Sequence, residues 1–181
     1  MIDESGLLMA PLVRRTWAWR GQRPQLKQQG KHREKVSVAA ALWLPPERNR
    51  VGLFFETVVD AYFNNEQIAG FLEDLMREIP NRMVVVWDRG QMHRGDPIRD
   101  QLARFQPRLS LEELPSYAPM LNPLEPVFSW LKYSRLCNFA PGDAQELNRA
   151  TFRELQALAA DQRMLRELWH RSDLPMPRPL S

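Results

Sequence analysis

The spacing of apolar and polar residues along the chain predicts strands and helices in a mixed α/β order. Residues 35–44 and 50–59 are mostly apolar and are separated by a turn with two prolines, so they predict a β-hairpin. Residues 83–87 are five apolar residues in a row, which predicts a central strand buried on both faces. Residues 109–114 predict a further short strand.

Apolar residues at helical spacing predict helices between and after these strands. The first helix is capped by Asn64 or Asn65 and ends before Pro80. The others cover approximately residues 97–105, 123–138, 144–160 and 162–170. This alternation of strands and helices is typical of an α/β fold with a mixed sheet.

The two ends of the chain have less regular patterns. Residues 1–3 predict only the last part of a strand, cut short at the start of the chain. Residues 4–33 are rich in Gly, Pro and Arg and predict a long loop that could contain a short strand over residues 14–20. We expect one domain over residues 1–171, followed by a loose tail over residues 172–181 with its three prolines.

Composition narrows the class of protein. A chain of 181 residues with 44% hydrophobic residues is long and apolar enough for one domain with a real core. The acidic start lacks the apolar segment of a secretory signal, and no apolar run is long enough to span a membrane. The single cysteine excludes an intrachain disulfide or a cysteine zinc site. We therefore expect a cytoplasmic protein without a membrane partner.

Positive charge is concentrated near the start of the chain. Residues 1–50 contain ten Lys or Arg and four acidic residues, whereas the whole chain has a net charge of only +3. A basic segment that also carries tryptophan suits the phosphate backbone of DNA. The residues expected to make these contacts are Arg14, Arg15, Trp17 and Lys35. The alternative is a solvated loop with a surplus of arginine.

A proline-rich turn followed by a helix occupies residues 114–132. Asn122 can cap this helix, Pro123 suits its first position, and Glu125 follows three residues after the cap. In one interpretation, Glu125 completes a capping box by reaching back to the Asn122 amide. In the other, its carboxylate lies at the first turn of a buried helix and points at a metal.

Three blocks in this order resemble the catalytic blocks of one family. They are residues 2–6 (IDESG), residues 84–88 (VVVWD) running on to His93, and residues 114–132 (LPSYAPMLNPLEPVFSWLK). Together they are similar to the IS630-type insertion-sequence transposases, which are related to the Tc1/mariner group. The resemblance implies a ribonuclease-H-like mixed sheet flanked by helices and a DDE endonuclease that cuts transposon ends and joins them to target DNA.

The resemblance also implies a metal site. Its ligands and catalytic residues would be Asp3, Asp88 and Glu125, with Mg²⁺ or Mn²⁺, and two ions, as cofactor. Three carboxylates without a counter-charge would repel one another, and a hard divalent cation relieves that conflict. Arg89 replaces an asparagine common in relatives, so it could bind DNA at the scissile phosphate or weaken metal affinity. The implied partners are double-stranded DNA, at the transposon ends and the target, and a second copy of the chain as a homodimer in the DNA complex.

Two alternatives stay open beside the transposase. Relatives carry an N-terminal helix-turn-helix region that this sequence lacks, so the chain could be a truncated, inactive remnant that only binds DNA. The second alternative is a nuclease of the same fold that acts on RNA·DNA hybrids or Holliday junctions. The role of His93 is also open, since it could contact substrate, order the loop after Asp88 or be purely structural. A bacterial, nucleoid-associated location follows from the transposase interpretation.

Overall fold

The computed structural model describes residues 1–26 and 34–176, and most elements lie where the sequence predicts them. The strands are β1 (Ile2–Leu8), β2 (Lys35–Trp43), β3 (Gly52–Val59), β4 (Met83–Trp87) and β5 (Leu109–Glu113). The helices are α1 (Asn65–Glu78), α2 (Asp96–Phe105), α3 (Leu124–Trp130), α4 (Ala144–Ala160) and α5 (Gln162–Trp169). Short 3₁₀ turns cover Gln91–His93 and Pro119–Leu121, and a π-helical turn, Leu131–Arg135, extends α3.

The strands form an antiparallel ladder and a parallel pair that lie side by side. The first has the order β1-β2-β3 and the second is β4-β5, while β1 also contacts β4. Helices cover both faces of the β1-β2-β3 ladder. Alternate residues of β2 pack into two separate hydrophobic clusters, one on each face. Val38 and Ala40 pack with residues of α3, α4 and α5, whereas Ala39 and Ala41 pack with α1. The predicted mixed sheet flanked by helices is therefore confirmed.

The first strand differs from its prediction. Residues 1–3 were expected to end a strand and residue 4 to begin a loop, but β1 runs for seven residues to Leu8. Its central residues 3–6 have little intrinsic β propensity, yet each residue of β1 is paired with β2, from Ile2 opposite Ala41 to Leu8 opposite Lys35. Asp3 therefore lies near the start of β1 and not at its carboxyl end. The short strand suggested for residues 14–20 is also absent from the described chain.

The prediction that β4 is buried on both faces is wrong. Val85 and Trp87 are buried against α1 and its neighbours, but Val84 on the other face is 61% exposed. Val84 and Val86 border a cavity of about 420 Å³ that is only partly covered by Trp169 and the chain beyond α5. Five consecutive apolar residues thus indicate the strand correctly but not how completely each face is covered.

The helices begin where capping side chains satisfy free backbone amides. Asn64 accepts a hydrogen bond from the Gln67 amide and the Gln67 side chain accepts one from the Asn64 amide, so α1 starts with a complete capping box. The side chains of Asp143 and Asp161 each accept one hydrogen bond from a backbone amide in the first turn of α4 and α5. Within residues 1–26 and 34–176, none of the helices has the length and apolar character needed to cross a membrane.

The segment after α5 was predicted to be loose, and its first residues are held by hydrogen bonds. The Asp173 amide donates to the carbonyl of Met120, and the indole of Trp169 donates to the carbonyl of Leu174. Leu174 and Met176 pack against the core. Residues 177–181 of the predicted tail lie outside the described residues. The contact with Met120 joins the end of α5 to the turn that precedes α3.

A carboxylate between two arginines joins α4 to the turn after α3. Glu154 is 8% exposed, and it accepts hydrogen bonds from Arg135 at 2.7 Å and from Arg153 at 3.3 Å. Burial alone would raise the pKa of Glu154, but the hydrogen bonds and positive charges of Arg135 and Arg153 outweigh it and lower the pKa below 4.5. The ionised carboxylate therefore stabilises this junction.

We expect Glu154→Gln to lower the free energy of unfolding at pH 7 by about 1–2 kcal/mol, because the ion pairs with Arg135 and Arg153 are lost. The loss is limited because both arginines are at least half exposed and stay hydrated. Since the pKa of Glu154 is lower in the folded state, the difference from the unsubstituted chain is full above pH 4.5 and disappears as the pH falls through the lowered pKa. Urea unfolding at pH 7 and pH 3 measures it. Glu167→Gln, which removes a half-exposed pair with Arg171, serves as the control with little change. An equal loss at both pH values would contradict the prediction.

Candidate active site

Asp3 is held between β1 and the turn before α3. Its Oδ1 accepts a hydrogen bond from the Glu4 amide at 2.8 Å, and its Oδ2 accepts one from Asn122 Nδ2 at 2.7 Å. Burial raises the pKa of Asp3 to about 7, and the negative charges of Glu4 and Glu125 add to this while the two hydrogen bonds oppose it. The Asp3 carboxylate thus lies in a largely buried site, close to two further carboxylates.

Asn122 caps α3, but Glu125 does not complete a capping box. Asn122 Oδ1 accepts from the Leu124 amide at 3.0 Å, whereas the Asn122 amide itself donates to the carbonyl of Pro119 at 2.9 Å. The amide that Glu125 would have to reach is therefore already bonded, and the capping-box interpretation is wrong. Pro123 lies immediately before the first residue of α3. Glu125 is exposed and borders an open cavity, so its carboxylate is available.

Asp88 follows the last residue of β4 and begins a tight turn. Its Oδ1 accepts from the Gly90 amide at 2.8 Å and lies 2.9 Å from His93 Nδ1. A Cβ at residue 90 would lie 2.9 Å from that oxygen, which is closer than side-chain carbons normally approach, so a larger residue there would displace the Asp88 carboxylate. Arg89 pairs with Glu113 at 3.0 Å, which directs its guanidinium towards the end of β5.

The structure brings the predicted ligands together only in part. The charges of Asp3 and Glu125 interact, whereas Asp88 is connected to β1 through His93 and Glu4. Within the described ranges, no group of three His, Cys, Asp or Glu side chains lies close enough to hold a metal ion. The donor chemistry of Asp3 and Glu125 nevertheless fits Mg²⁺, which proteins often hold with one or two carboxylates plus substrate phosphates.

Several residues of the site were not assigned from sequence. Glu4 lies on the opposite face of β1 from Asp3. A prediction of a strand over residues 2–8 would have indicated this, because successive side chains of a strand point to opposite faces. Lys132 lies two helical turns after Glu125. Burial lowers the pKa of Lys132, while the charges of Glu125 and Asp3 oppose that shift, so its ammonium group is near both carboxylates. The link between Asn122 and Asp3 joins residues 119 positions apart and has no local signal.

A cavity of about 630 Å³ opens beside Glu125, and the basic segment reaches it. The Arg14 amide donates to Asn138 Oδ1 at 2.8 Å, and its guanidinium carbon lies 5.4 Å from the centre of the Tyr133 ring. Arg171 borders the same cavity from the end of α5. Trp17 is almost fully exposed further along the segment. Glu125 thus faces a cleft with two arginines and an aromatic ring.

The other predicted DNA contacts lie elsewhere on the chain. Lys35 is the first residue of β2, where its amide bonds to Asp60 and its ammonium group lies 2.7 Å from the centre of the Tyr62 ring. Asp3 is paired with Ala40, so Lys35 is several residues away along the same strand. Arg15 is exposed next to Arg14. Arg14 is therefore the residue of this predicted set that borders the Glu125 cavity.

The sequence profile of one family, described as DDE superfamily endonuclease, matches residues 1–148. The chain belongs to the DDE endonuclease superfamily. Among solved structures, its fold is similar to the Mos1 transposase paired-end complex with left transposon end, with a TM-score of 0.64, 17% identity and coverage of 96% of this chain and 51% of that chain. The Mos1 mariner paired end complex with Mn gives a TM-score of 0.64, 18% identity and the same coverage.

The catalytic domain of Mos1 mariner transposase is also similar, with a TM-score of 0.53, 16% identity and coverage of 94% of this chain and 77% of that chain. A comparison with curated proteins gives no match. This DDE-superfamily chain spans about half the length of the Mos1 chains in the two complexes. The predicted ribonuclease-H-like fold and the predicted class of enzyme, a DDE endonuclease, are confirmed.

We expect Asn122→Ala to destabilise the domain by about 1–3 kcal/mol, because it removes the hydrogen bond to Oδ2 of the half-buried Asp3 carboxylate and the cap of α3. Urea unfolding at pH 7 measures the change. Asn81→Ala, an exposed position in the turn before β4, is the matched control and should change stability by less than about 0.5 kcal/mol. Equal stabilities of the two variants would show that the Asn122–Asp3 bond does not support the site.

Proposed function

We propose that this chain is the catalytic domain of a DNA transposase of the IS630 type. It would hydrolyse phosphodiester bonds at transposon ends and then join the freed ends to target DNA. The observation that supports this best is the placement of Asp3 on β1, Asp88 directly after β4 and Glu125 in the first turn of α3, in a chain of the DDE superfamily. A homodimer on DNA, in a bacterial cytoplasm at the nucleoid, is part of the same proposal.

In this proposal Asp3, Asp88 and Glu125 bind Mg²⁺ or Mn²⁺, with two ions at full occupancy. When bound, such ions activate a water molecule and stabilise the leaving oxygen of a phosphodiester. The chain's own residues orient the ligands: Asn122 holds the Asp3 carboxylate, and the start of α3 presents Glu125 to the cleft. Lys132 lies near both carboxylates and partly offsets their charge.

The DNA strand would lie in the cleft beside Glu125. Arg14 and Arg171 border this cleft and can neutralise phosphates, and Tyr133 offers a partly exposed ring. Arg15 and Trp17 continue the same segment outward and extend the proposed contact. Lys35 and Arg89 do not border this cleft and contact Tyr62 and Glu113 instead, so we assign them smaller contributions.

The second candidate is the inactive remnant that binds DNA without cutting it. Its support is that the described residues hold no group of three potential metal ligands at binding distance. Both candidates predict DNA binding, so only metal-dependent cleavage separates them.

We expect Asp3→Asn, Asp88→Asn and Glu125→Gln each to reduce Mg²⁺-dependent cleavage of terminal-repeat DNA more than about 100-fold, since even residues that support metal ligands contribute about 10–100-fold. Binding of the same DNA should change little, because its affinity comes from phosphate contacts. Gel assays of cleavage and fluorescence anisotropy of binding measure the two effects. Asp100→Asn, an exposed position on α2, is the control with normal cleavage. Undiminished cleavage by all three variants would rule out the metal site, and no cleavage by the unsubstituted chain would favour the remnant.

We expect the double variant Arg14→Gln, Arg171→Gln to bind DNA more weakly and with less dependence on salt. Each phosphate contact adds about 0.9 to the slope of log affinity against log salt concentration, so loss of two contacts should reduce the slope by nearly 2. Anisotropy titrations at several salt concentrations give the slope. Arg163→Gln, an exposed arginine on α5, is the matched control. An unchanged slope in the double variant would show that the DNA backbone does not occupy this cleft.

A further inference from the structure

One buried histidine connects the turn after β4 to β1. The side chain of His93 is 2% exposed. Its Nδ1 lies 2.9 Å from Asp88 Oδ1, and its Nε2 lies 3.1 Å from Glu4 Oε1. The imidazole is stacked on the indole of Trp87, with ring centres 4.4 Å apart and planes within 3° of parallel. The ring is thus fixed at both nitrogens and on one face.

The partners of His93 are all hydrogen-bond acceptors. Nδ1 faces the carboxylate and the backbone carbonyl of Asp88, and Nε2 faces the carboxylate of Glu4. A neutral imidazole donates to one of these sides and a protonated imidazole donates to both. His93 holds one carboxylate on each side, and Glu4 fixes the end of the ring that is remote from Asp88.

The bonds to Asp88 leave half of its carboxylate available. Oδ1 is engaged by His93 and by the Gly90 amide, whereas in the described part of the chain no hydrogen bond or ion pair involves Oδ2. Carboxylates that bind metal ions through one oxygen are commonly fixed by hydrogen bonds from neighbouring residues. Asp88 has the same arrangement, with Oδ1 held by hydrogen bonds and Oδ2 left for an ion.

We propose that His93, fixed by Glu4, is a positioning residue that orients the Asp88 carboxylate for metal binding. The proposal rests on the proposed function, because Asp88 is a metal ligand only within it. β1 then contributes in two ways, since Asp3 lies on the face towards α3 and Glu4 on the face towards His93. The strand would set the position of Asp88 relative to Asp3 through a chain of three side chains.

The test is Mn²⁺ affinity, measured by electron paramagnetic resonance on the full chain without DNA. We expect His93→Gln to weaken Mn²⁺ binding about 10–100-fold and to lower kcat for cleavage with little change in KM for DNA. In the Asp88→Asn background, the same substitution should weaken Mn²⁺ binding no further, because the ligand that it orients is gone. His170→Gln, an exposed histidine after α5, is the matched control and should match the unsubstituted chain.

Substitutions of Glu4 separate positioning from folding, because they leave the buried ring in place. Glu4→Gln keeps an oxygen that can accept from His93 Nε2, so it should retain most of the Mn²⁺ affinity that Glu4→Ala loses. Melting temperatures of all variants are measured in parallel. A lower melting temperature with Mn²⁺ affinity within twofold of normal, for both His93→Gln and Glu4→Ala, would overturn the proposal and leave a purely structural bridge. An equal further loss in the Asp88→Asn background would also overturn it.

The same measurements separate failure of the proposed role of His93 from failure of the proposed function. If Asp88→Asn weakens Mn²⁺ binding but His93→Gln does not, the positioning role fails and the proposed function stands. If Asp88→Asn leaves Mn²⁺ affinity unchanged, Asp88 is not a ligand, and both the proposed metal site and the role of His93 are overturned.

Discussion

The pairing of β1 with β2 is the constraint on which the rest of the site depends. Seven residues with a polar centre are held in register against a strand that is buried along most of its length. Because successive side chains of a strand point to opposite faces, this register sends Asp3 towards α3 and Glu4 towards the turn after β4. A slip of one residue would exchange the two faces and separate Asp3 from Asn122 and Glu4 from His93.

Regular elements with strong hydrophobic periods could be predicted from the sequence. The β-hairpin of β2 and β3, and helices such as α4, have an apolar face long enough to indicate both their type and their approximate bounds. β1 could not be predicted over its full length, because its stability comes from pairing with residues of β2, which lie 27 to 39 positions further along the chain. The exposure of Val84 was also missed, since an apolar run carries no information about which neighbours cover each face.

The family of the chain could be predicted from its sequence, but the connections within the candidate site could not. The three blocks of sequence pointed to a DDE endonuclease, which the family match confirms, whereas the metal-binding role of Asp3, Asp88 and Glu125 stays a prediction. The capping-box alternative for Glu125 rested on spacing alone and was wrong, because Pro119 already accepts the Asn122 amide. The bridge from Glu4 through His93 to Asp88 spans 89 residues, and only the packed structure brings its ends together.

The double role of Asn122 has a consequence for thermal motion in the site. One side chain accepts from the first amide of α3 and donates to Asp3, so it links the helix that carries Glu125 to the strand that carries Asp3. A shift of α3 away from the sheet would stretch a hydrogen bond to a half-buried carboxylate, which opposes the shift. Asn122 therefore restrains the start of α3 against β1 at the point where these two elements carry Glu125 and Asp3.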